Sequence, residues 1–162
     1  MDMVMTHYME LLATNQPWNL LIFMAIPVIL AEFIAVSEFY ILLNPQGEKS
    51  LHRLNMRAGI VLGFYFLGIF LYLLFTAVVP LTQSGGWRGP ADIIAVGFYL
   101  LGVVPLFALA LMGLGIVGKN RSDHGKLWLH ATFVALFLVV AHVAMIFGML
   151  NPMILGYHNM VM

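Results

Sequence analysis

The feature that most constrains the fold is the last long apolar run, Leu127 to Leu150, LWLHATFVALFLVVAHVAMIFGML. About 20 residues at about 1.5 Å each cross a hydrocarbon core of about 30 Å, so a helix over this run is long enough to span a bilayer. It carries His130 and His142 and no formally charged residue. An ionisable group at membrane depth is costly, so it lines a site or pairs with another polar group.

Three comparable runs precede it, over about 18–43, 58–81 and 91–117. The chain is 62% hydrophobic and only 9% charged, where a soluble domain averages about 45–50% and about 25%. So few charges cannot screen that much apolar surface from water, and the bilayer must act as solvent for it. The expectation is an all-α membrane protein, a four-transmembrane-helix bundle forming a single domain over 1–162. Residues 3–16 read as an interfacial amphipathic helix, with Met5, Tyr8, Met9 and Leu12 at helical spacing. No basic leader precedes the first apolar run, which reads as a retained span and not as a signal peptide.

Basic residues set the expected orientation. Lys49, Arg53 and Arg57 follow span one, and Lys119, Arg121 and Lys126 follow span three. The positive-inside rule places loops one and three in the cytoplasm and both termini outside, in the cell (inner) membrane. Pro27 and Pro105 should kink spans one and three. Gly59 and Gly63 form a small-xxx-small pair that allows close helix approach in span two.

Composition also excludes classes of function. Seven basic residues balance seven acidic ones, which gives no electrostatic footprint for nucleic acid. The absence of cysteine removes disulfides, thiolate ligands and thioether-linked haem. No phosphate-binding glycine motif, nucleophile elbow or zinc-protease helix is present.

The polar groups at depth are the candidate site residues. Glu38 and His130 each lie a short way in from the cytoplasmic end of their spans, and they meet if those helices touch. Glu32 is expected as a second buried polar residue near mid-membrane. One chemistry for the histidines is b-type haem, held non-covalently by two axial ligands at equal depth in an apolar slot. His130 is then one ligand, His52 its partner, and His142 belongs to a possible second site. The alternative is copper on the outer face, through His7, His142, Met145, Met149 and His158, since thioether and imidazole suit Cu(I).

Two resemblances attach to these segments. The stretch NQPWNLLIFMAIPVILAE resembles the opening of small four-span bacterial membrane proteins loosely described as permeases. The L-H-R at the start of span two and the L-H…H pattern of span four are similar to four-helix membrane b-type cytochromes, quinone-linked subunits of larger redox enzymes. That second resemblance implies an electron-transfer subunit with haem at His130 and His52, working with quinone or other membrane subunits. The alternative expectation is a non-catalytic accessory or assembly subunit, with or without outer-face copper.

Overall fold

The computed structural model describes residues 5–44 and 49–156, and among them every regular element is a helix, joined by short turns. Four helices are long and apolar enough to cross a membrane: Trp18–Leu43, Lys49–Ser84, Pro90–Gly113 and Asp123–Met149, here spans one to four. Val36, Phe75 and Val139 stand more than 60% exposed on their outer faces. Water would penalise such a belt heavily, whereas lipid tails cover it without cost. The chain is a multi-pass membrane protein.

Each span packs against its neighbours in sequence, and span four closes the bundle against span one. The tightest seam joins spans two and three. A Cβ built on Gly63 would stand 2.4 Å from the Leu106 carbonyl oxygen and 2.6 Å from the Ala110 Cβ. Only a residue with no side chain lets these backbones approach so closely. Ile34, Leu62, Phe66, Leu106 and Leu109 fill the middle of the bundle and are at most 2% exposed. This layer is buried and apolar, and it separates the two ends of the molecule.

Pro27, Pro80 and Pro105 coincide with interruptions of the regular α-helix. Proline lacks an N–H and crowds the carbonyl four residues earlier. Pro27 is preceded by a widened π turn over Leu21–Ala25, and Pro80 by another over Leu74–Val78. The Phe23 carbonyl, four residues before Pro27, accepts a 2.5 Å hydrogen bond from the Tyr99 hydroxyl. The neighbouring Ile22 carbonyl accepts from Tyr65 at 2.9 Å. Span three breaks at Gly102, three residues before Pro105.

Boundaries differ from the sequence reading in instructive ways. Span two is helical from Lys49, because LHRLNMR carries no breaker and its polar side chains reach the bundle end. Span three stops at Gly113; Gly115 and Gly118 follow at φ +73° and +76°, a left-handed conformation that glycine adopts freely. Span four begins early because Ser122 caps it, its hydroxyl accepting from the Gly125 N–H. The amphipathic segment condenses into a shorter helix, α1 (His7–Ala13), capped by Thr6. The Thr6 hydroxyl also donates to the Gly148 carbonyl at 2.6 Å, which ties α1 to the end of span four.

Candidate functional site

At the end that carries loops one and three, the ends of all four spans part around a cavity of about 970 Å³. Its base is the pair foreseen from sequence. Glu38 Oε2 lies 2.8 Å from His130 Nδ1, with both side chains at most 10% exposed. Among the described residues, Glu38 Oε1 and both ring nitrogens of His130 have no hydrogen-bond partner. Buried polar atoms left in that condition carry a desolvation cost, and they identify places where a ligand or water can gain binding energy.

The neighbouring polar residues Asn55 and Ser37 bond each other and the backbone of span one. Asn55, 2% exposed, donates through Nδ2 to the Ser37 hydroxyl at 2.7 Å and to the Ile34 carbonyl at 3.1 Å. Ser37 in turn donates to the Phe33 carbonyl at 2.7 Å. This clasp fixes span one against span two one residue away from Glu38, so it positions the carboxylate. On the other side, the point where a Gly59 Cβ would stand is 3.7 Å from His130 Nε2. The bare backbone of span two therefore covers that nitrogen.

Above the pair the cavity widens towards the loops. Lys49, Arg53, Lys119 and Lys126 line it, against the two acids Glu38 and Asp123. Asp123 is partly occupied by Lys126 at 3.7 Å. Ile41, Leu51, Met56, Met112 and Leu127 supply apolar wall. A cleft with this excess of positive side chains and low-dielectric walls concentrates anions.

The other expected site residues fall elsewhere. His52 lines the cavity but sits exposed in the first turns of span two. Gly59, which faces His130, lies seven residues or about 10 Å further along that helix. The two histidines therefore do not reach a common depth. His142 is exposed on the lipid-facing side of span four, and its Nδ1 lies 2.6 Å from the Leu138 carbonyl of its own helix. Met149 shares that outward face, at 64% exposed.

Glu32 is a correction. It is exposed, not buried. Six residues separate it from Glu38, which turns it about 120° around the helix and away from the bundle interior. His7 is engaged with Asp92 at 2.6 Å. His158 lies outside the described residues. Among those residues no group of three or more His, Cys, Asp or Glu is gathered as a metal site.

At the opposite end Asp92, fully buried, was not singled out by the sequence. It accepts from the His7 backbone N–H at 2.7 Å and the Arg88 N–H at 3.1 Å, besides contacting the His7 imidazole. Arg88 also reaches Glu10 at 2.6 Å and the Met5 carbonyl at 2.7 Å. The available signal was its place in the first turn of span three after Pro90, where an acidic group offsets the helix dipole.

No curated protein and no solved structure matches the chain. One family does, described as a family of unknown function, DUF6803, and it matches residues 3–162. The chain belongs to that family.

Proposed function

We propose that this is a non-catalytic integral membrane subunit that binds an organic anion from the cytoplasm in the cavity at the ends of the four spans. The observation that carries this reading is the cavity itself, about 970 Å³ with four basic side chains along it and the Glu38–His130 pair at its base. The ligand class follows from the lining. A phosphate or carboxylate group pairs with Arg53 and the lysines, and a compact apolar body lies against Leu51, Met56 and Leu127. The basic loops fall on the cytoplasmic side by the positive-inside rule, so the cavity opens there. The apolar layer around Phe66 and Leu106 blocks passage onward, so the site is one of binding and not an open channel.

Phenyl phosphate is a suitable probe, with phenyl glucoside as its neutral counterpart. In a maltoside micelle, phenyl phosphate raises the unfolding midpoint by mass action and the glucoside does not. Arg53→Gln weakens the effect roughly 3- to 10-fold, in line with about 1 kcal/mol for one charge contact. Equal stabilisation by both compounds, or none by either, removes the proposal.

A second reading, electron transfer through b-type haem on His130, is favoured by one feature. A carboxylate beside one ring nitrogen and an unpartnered second nitrogen is the arrangement that orients metal-ligating histidines. As the helices are packed, Gly59 covers that nitrogen, so span two would have to stand further off. Oxidised and dithionite-reduced spectra of the purified protein separate the readings. Low-spin bands that vanish in His130→Ala support haem, and a featureless spectrum with no stoichiometric iron excludes it.

A further inference from the structure

A second cavity, of about 340 Å³, lies at the opposite end of the bundle beneath α1. Its walls are Leu73, Ala77 and Pro80 around the π turn of span two, with Val96 and Tyr99 of span three and Tyr8 of α1. The π turn matters here, because widening span two displaces Ala77 and Pro80 from the regular helical path. π turns recur at functional sites for this reason.

Tyr8 is the informative residue. It is 93% buried, with 7% exposed. Its ring lies 5.1 Å from that of Tyr99 and against Gly148, where an added Cβ would meet it at 2.5 Å. The Tyr99 hydroxyl is committed to the Phe23 carbonyl. The Tyr8 hydroxyl has no hydrogen-bond partner among the described residues and keeps accessible surface where Tyr8 lines the cavity. Burial pushes its pKa up to about 12, so it remains a donor at any physiological pH. The ionisable groups at the rim already have partners, His7 with Asp92 and Glu10 with Arg88.

We infer that this cavity binds an uncharged lipid-phase molecule whose head carries a carbonyl or ether oxygen, with Tyr8 as the hydrogen-bond donor to that oxygen. The apolar body of the ligand rests on Leu73, Ala77, Pro80 and Val96. A charged head is disfavoured because, among the described residues, His7 and Glu10 at the rim are already engaged by Asp92 and Arg88. The cavity falls within the range typical of small-molecule sites. It is separated from the anion cavity by the apolar layer of the bundle, so the two proposals stand or fall independently.

The test uses the full chain in a neutral micelle with 2-undecanone as the probe, and undecane and dodecanoate as controls. The ketone raises the unfolding midpoint, and both controls do so less at equal concentration in the micelle. Tyr8→Phe weakens the ketone roughly 3- to 10-fold, the value of one net hydrogen bond. The same change leaves the ligand-free midpoint close to that of the parent, because the hydroxyl makes no hydrogen bond to the described residues that could be lost. Ala77→Leu, which fills the cavity, abolishes the ketone effect. Equal stabilisation by undecane or dodecanoate overturns the inference. So does a ketone effect that survives both substitutions, or a Tyr8→Phe protein whose ligand-free midpoint falls while its ketone affinity holds.

Discussion

Glu38→Ala lowers stability by about 3 kcal/mol, within the range for removing one partner of a buried ion pair. The size follows from what is left behind. His130 is 8% exposed, and both its ring nitrogens already lack hydrogen-bond partners among the described residues. The carboxylate oxygen at 2.8 Å is the one compensating group beside it. Removing it strands the imidazole under the backbone of Gly59 and enlarges the cavity. Glu38→Gln keeps the shape and an amide oxygen, and should recover more than half of the loss. Unfolding in mixed micelles, followed by helical circular dichroism, measures both variants. A Glu38→Ala protein within 0.5 kcal/mol of the parent, well below the range for a broken buried pair, would mean that the pair contributes nothing.

Gly63→Val gives the largest loss, at the upper end of or beyond the roughly 1–3 kcal/mol typical of overpacking. The new Cβ would meet the Leu106 carbonyl at 2.4 Å and the Ala110 Cβ at 2.6 Å. One of these contacts is backbone on a packed helix, which cannot rotate away as a flexible side chain can. Spans two and three must separate, and the apolar layer around Leu62, Phe66 and Leu106 opens with them. Gly68→Val and Gly97→Val are the internal controls, because nothing lies within 4 Å of a Cβ at either position. Both controls should stay within about 0.5 kcal/mol of the parent, apart from helix-propensity gains. If Gly63→Val behaves like them, the close seam is not what holds the bundle.

Much of this architecture was legible because its causes are local in sequence. Four apolar runs fix four helices, and Gly59 with Gly63 marks the seam. Glu38 and His130 sit at matching depths from their helix ends, so their meeting needed only adjacent spans. What escaped depends on helix rotation and on contacts distant in the chain. Glu32 has the same residue type as Glu38 and lies on the same span, yet six residues of helical phase put it outside. His142 is separated from the interior in the same way, and bonds its own helix. Gly59 shows that the His52–His130 pairing fails by axial offset, which a loop drawn at 44–57 concealed. Asp92 and Tyr99 were missed because their partners, His7 and the Phe23 carbonyl, lie 85 and 76 residues away. The Phe23 carbonyl still had a readable signal, four residues before Pro27.

The central claim is that the basic cavity above Glu38–His130 takes an anion. Its most direct test is the nitrogen resonances of the histidine side chains, in protein labelled with ¹⁵N-histidine, titrated with phenyl phosphate. The account predicts saturable shifts for His130, His52 and His124, which line the cavity, while His142 on the lipid face stays still. Shifts confined to His142 or His7, or a His130 resonance indifferent to saturating anion, would contradict it.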